Sequence, residues 1–132
     1  MKKQIIFIGA FVAVSVTASF LYTQAVPETS SVPTPIIGHA TFNVGDRTYS
    51  ATVAPNETVM SAMRTLAMTD DFTYTSKEYS GLGVFVDSIN GKKNGNGMYW
   101  ILYVNDALSN SGAGATVLSA GDVVEWKYEK GY

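Results

Sequence analysis

The chain has 132 residues, a formal charge of −2, one histidine and no cysteine. Zero cysteine excludes disulfides, thiolate metal sites and cysteine nucleophiles together. The mild acidity lacks the basic stripe that nucleic acid requires, and the length allows one domain with appendages, large enough to close a core by burial alone.

Lys2 and Lys3 precede a charge-free run from Ile5 to Tyr22. That length lies between the apolar region of a signal peptide and a minimal membrane span. Residues 1–25 are therefore expected to direct export, either as a cleaved signal peptide or as a membrane anchor through residues 5–22. Val16/Ala18 and Thr23/Ala25 offer cleavage positions, and without cysteine a lipoprotein anchor is excluded. Residues 26–37 are rich in Pro, Ser and Thr and read as an extended linker. The folded domain is expected over 38–132.

Within it, His39 to Val44 alternates with Ala40, Phe42 and Val44 on one face. Gly45-Asp46 supplies a tight turn, and Arg47 to Val53 alternates through Tyr49, Ala51 and Val53, which predicts a β-hairpin. Thr58 is placed to cap a helix carrying Val59, Ala62, Met63, Leu66 and Ala67 at helical spacing and ending near Met68. Phe72 to Tyr79 and Val84 to Ile89 read as strands about a Ser80–Gly83 turn, and Asn90 to Gly97 as a hairpin loop. Met98 to Asn105 is apolar on both faces, which predicts a strand in the middle of a sheet. Asp106 to Ala115 reads as a flexible surface excursion. Val123 to Glu129 alternates strictly, with Val124, Trp126 and Tyr128 facing inward. One helix against mostly antiparallel strands is an α+β arrangement with the layout of a β-grasp.

Reactive chemistry is sparse. His39, at the start of the first strand, has no Gly-x-Ser-x-Gly nucleophile to serve and reads as exposed. Asp70-Asp71 are adjacent residues at a helix exit and read as solvated. The Asn90–Gly97 loop carries Lys92 and Lys93 where a calcium loop needs carboxylates, and no helix follows to make its glycines a phosphate cradle. Asn56-Glu57-Thr58 fits a glycosylation pattern, of consequence only in a eukaryotic secretory host. Neither catalytic nor metal-binding residues are expected. Trp100, Trp126 and Tyr128 are explained as core by alternation. Tyr99, Ile101 and Tyr103 fall on the face that a single helix does not reach, and with Tyr74 they are the candidate ligand-binding row. Asn94 and Asn96 are the polar candidates in the adjoining loop. Self-association through the same face is the competing reading.

The chain resembles the small bacterial domains related to the C-terminal domain of transcobalamin and intrinsic factor, a β-grasp-like family. Thr58-Val59 opens the helix after the first hairpin. Val84-Phe-Val-Asp-Ser-Ile-Asn-Gly91 is similar to the family strand ending in a Ser-Ile-Asn-Gly turn. Tyr99-Trp100 with Tyr103-Val104-Asn105, and Leu118 with Gly121-Asp122-Val-Val-Glu-Trp126, resemble its two remaining signatures. Asp106 departs from the pattern, standing where the family usually has glycine. The likeness runs from about His39 to Tyr128. It implies a noncatalytic module, since in the vitamin carriers this domain lies over cobalamin held against a separate α/α barrel. A lone domain covers at best one face of such a ligand, so a corrinoid-like molecule would need a partner chain. The expected function is an exported binding module for a small-molecule ligand or a cell-surface protein; a structural or adhesive surface module is the alternative.

Overall fold

The computed structural model describes residues 36–131, so the expected leader and most of the linker lie outside the described residues. Strands β1 (Gly38–Val44) and β2 (Arg47–Val53) pair antiparallel about a two-residue turn. Gly45, the first turn residue, has φ 58°, a value that glycine adopts without steric cost. Alternation buries Ala40, Phe42, Val44, Ala51 and Val53 on one face.

Helix α1 (Val59–Thr69) begins where Thr58 accepts a hydrogen bond on its side chain from the Ser61 N–H at 3.1 Å. Two further N-terminal donors are satisfied from outside the helix. The Val59 N–H donates to Thr116 O and the Met60 N–H to Ala113 O, each at 2.9 Å. The expected surface excursion is therefore a docked segment over the start of the helix, with its own Ala113 buried. This changes the helix's inner face. Met60 is buried, while Ala67, expected inside, is exposed beyond the segment's reach.

After the helix come β3 (Tyr74–Tyr79), β4 (Gly83–Ile89), the short β5 (Lys92–Lys93), β6 (Met98–Val104), the short β7 (Ala107–Leu108) and β8 (Val123–Lys130). They form a five-stranded sheet in the order β2-β1-β8-β6-β7 and a three-stranded sheet β3-β4-β5. Every pairing is antiparallel except β1 with β8, which run parallel from Thr41↔Val123 to Val44↔Trp126. First and last long strands side by side in parallel, under one helix, give the expected α+β, β-grasp-like fold. The middle of the large sheet is β8 rather than β6. Beyond β6 lies only the two-residue β7, so a central place in the sheet does not account for its apolar double face.

The core joins the inner faces of both hairpin strands, the helix, β6 and β8. Phe42, Val59, Met63, Leu66 and Val124 are fully buried, each contributing about 1.5–3 kcal/mol. Trp100 and Trp126 share this interior, on neighbouring strands where Trp100 faces Tyr128 and Leu102 faces Trp126. The Trp100 Nε1–H donates to Lys92 O at 2.7 Å.

Three tight turns adjoin β6 or β5, each with two positive-φ residues: Asn90-Gly91, Asn96-Gly97 and Asn105-Asp106. This is the type I′ pattern that suits a hairpin's twist. Asp106 at φ 65° shows that the departure from glycine preserves the turn, at the steric cost of a left-handed aspartate.

Candidate functional site

The two sheets approach each other along β4 and β6. At one end the gap is bridged by Asn94. Its backbone N–H donates to Asp87 O at 2.8 Å and its Nδ2–H to Val86 O at 2.9 Å, both on β4. Its Oδ1 accepts the Trp100 N–H of β6 at 2.8 Å. One amide side chain thus stands in for the missing ladder between two strands.

At the other end the gap opens into a cleft of about 450 Å³. Val84, Phe85 and Val86 form one wall, Tyr99 to Leu102 the other, and Trp126 and Ala113 also line it. Leu108, Ser109, Ser111 and Gly112 line it as well, and among the described residues no charged side chain does. The volume lies within the range of small-ligand pockets. An exposed apolar margin of Tyr79 and Leu82 continues outward from Phe85.

The β6 wall is a sheet edge, and its hydrogen-bonding groups can be followed one by one. The Asn105 N–H donates to Val123 O on the β8 side, so by alternation the main-chain groups of Met98, Trp100 and Leu102 point away from β8. Met98 exchanges both its bonds with Gly95. The Trp100 N–H is taken by Asn94, and Leu102 O accepts from the Ser109 N–H at 2.9 Å. Trp100 C=O and Leu102 N–H remain, and neither has a hydrogen-bond partner among the described residues. The Trp126 indole N–H, buried in a residue that lines the same cleft, is likewise without a partner among them. Such unpaired groups cost about 1–3 kcal/mol when kept from water and favour a site that a ligand can complete.

The structure separates the residues expected to form one binding row. Tyr99 and Ile101 line the cleft. Tyr99 is partly exposed, and Gly131 is packed so closely on its ring that a Cβ there would lie 2.7 Å away. Tyr103 does not line the cleft: its hydroxyl donates to Glu129 Oε1 at 2.6 Å, and Lys127 Nζ sits 4.3 Å from its ring centre. Lys127 also pairs with Glu125 at 3.3 Å. With Thr41, Asn43, Thr48, Ser50 and Thr52 on the neighbouring strands, the open sheet face is polar rather than an aromatic platform. Tyr74 lies on the small sheet, opposite Ile89 and against Phe72, so it does not join Tyr99. Asn94 spends its amide on the bridge, and Asn96 occupies an exposed turn. His39 is exposed on β1. Among the described residues no group of three or more His, Cys, Asp or Glu is placed to hold a metal ion, and no helix is long and apolar enough to cross a membrane.

The β4 wall and the docked segment escaped sequence reasoning. A usable signal was present in Ser109 to Gly114, whose small residues leave room beside Val84; a Cβ at Gly112 would sit 3.2 Å from Val84 O.

No curated protein matches the chain. Among solved structures, haptocorrin in complex with Cbi superposes with a TM-score of 0.61 at 25% identity, over 73% of this chain. The match spans only 26% of haptocorrin. A protein from Ruminococcus gnavus described as a candidate metal binding protein aligns with a TM-score of 0.49 at 18% identity, over 73% of this chain and 98% of its own. The haptocorrin likeness agrees with the transcobalamin-like resemblance of the strand signatures. The model of the family described as "Domain of unknown function (DUF4430)" matches residues 56–130, more than half of the chain, and the chain belongs to that family.

Proposed function

We propose that the chain is an exported, noncatalytic binding module that receives a small ligand in the cleft between β4 and β6. The observation that carries this reading is an uncharged cleft of about 450 Å³ whose β6 wall retains an unpaired main-chain acceptor and donor. The likeness to haptocorrin, a protein solved with Cbi, supports a corrinoid-like ligand. Because this chain matches about a quarter of haptocorrin, such a ligand would be enclosed only with a partner chain supplying the opposite surface.

Both tryptophans of the protein line the cleft, so intrinsic fluorescence reports on it. Cobalamin titrated into the full chain is expected to quench that fluorescence saturably, beyond the absorbance correction measured on free tryptophan. Tyr103→Ser, outside the cleft, is expected to leave the titration unchanged. Quenching that never saturates would count against the reading.

The exposed apolar margin of Tyr79, Leu82 and Phe85 favours one second reading, a surface module acting by protein–protein contact. Size-exclusion chromatography separates the two: a concentration-dependent oligomer abolished by Leu82→Ser, with no ligand response, would support the second.

A further inference from the structure

We infer that the cleft is built to clamp one residue of an extended peptide segment, uncharged on either side of that residue, running parallel to β6. This rests on the proposal that the cleft is the binding site, and it names a ligand class there.

The two free groups are what a parallel ladder needs. In parallel pairing, a residue opposite Ile101 donates its N–H to the carbonyl of residue 100 and accepts at its C=O from the N–H of residue 102. Trp100 C=O and Leu102 N–H are the unpaired pair. The other two edge groups, Trp100 N–H and Leu102 C=O, are already held by Asn94 and Ser109. They cannot extend the ladder in either direction, so the site reads a single residue. An antiparallel guest would reach the same two groups from two different residues and leave one main-chain group of each facing the occupied Trp100 N–H or Leu102 C=O.

The surroundings select the guest. Strand β7 follows the β6 edge through Tyr103↔Leu108 and Val104↔Ala107, gives one more bond from Ser109, and then turns towards the helix. The edge is vacated where Tyr99 to Leu102 line the cleft. A segment laid there faces Val84 to Val86 across the gap, where the small sheet presents its own wall. Its central side chain shares the face of Ile101, and its two neighbours share the face of Trp100 and Leu102. Since no described side chain lining the cleft is charged, a charged residue at either of the two positions that share the face of Trp100 and Leu102 would be desolvated without a partner. Strand addition of this kind takes affinity from main-chain bonds and specificity from alternate side chains.

The probe is acetyl-Thr-Val-Ala-Val-Thr-amide, titrated into the full chain with tryptophan fluorescence as readout. A set of the same peptide N-methylated at one residue at a time accompanies it. The expected result is a saturable change for the parent and an approximately tenfold weakening for one methylated position, as one hydrogen bond is lost. The remaining positions should bind within a few-fold of the parent. Leu108→Lys, an exposed cleft residue, should weaken the parent peptide while leaving the circular dichroism spectrum intact. No saturable response, or equal affinity for every methylated peptide, would overturn the inference. Cobalamin titrated in parallel separates the levels: a cobalamin response with peptide silence overturns the peptide assignment alone, and silence of both overturns the cleft as a binding site.

Discussion

The gap between β4 and β6 is closed at one end and open at the other, by the same kind of chemistry. At the closed end Asn94 offers a donor and an acceptor on one side chain, and with its backbone N–H it joins Asp87, Val86 and Trp100. At the open end a donor and an acceptor of the same type, Leu102 N–H and Trp100 C=O, face the cleft unanswered. An amide inside the protein fixes the two sheets relative to each other, and an amide from outside has a place two residues further along. Stability and recognition are divided between adjacent stretches of one strand edge.

Breaking the closed end has the largest expected effect. Asn94→Ala removes two side-chain hydrogen bonds and leaves Trp100 N–H and Val86 O unpaired, a loss of about 2–3 kcal/mol in denaturant unfolding. Trp100→Phe, which loses the bond to Lys92 O, should cost about 1–3 kcal/mol in the same assay. Asp106→Gly relieves a left-handed aspartate in the turn that brings β7 onto β6, and is expected to stabilise by about 1 kcal/mol. Phe85→Ala at the open end, where the side chain is exposed, should change stability by less than about 0.5 kcal/mol while weakening ligand binding. That opposition of effects between Asn94 and Phe85 is what the division of roles requires.

Much of the fold was legible because alternation and capping are local. Phe42, Val53, Val124 and Trp126 fall inside as their strand periods dictate, and Thr58 caps the helix that its position announces. The Asn-Gly pairs at 90 and 96 mark turns for the same reason. The candidate site was only half legible. Exclusion from the helix-covered face points to Tyr99 and Ile101, which border the cleft. Period alone groups Tyr103 with them, and period carries no information about Glu129 and Lys127 across the sheet. Asn94 looked like a loop residue because its partners, Val86 and Trp100, lie in two different sheets. Met98 to Val104 looked central because both its faces are apolar; one face meets the core, and the edge meets a cleft of the same character.

Residue-resolved amide hydrogen exchange on the full chain, with and without the peptide probe, tests the open edge most directly. The free protein should exchange the Leu102 amide faster than the Trp100 amide, which Asn94 holds, and saturating peptide should slow Leu102 while leaving Trp100 unchanged. A Leu102 amide already as protected as Trp100 in the free protein, or unaltered at peptide saturation, would contradict an edge left open for a guest.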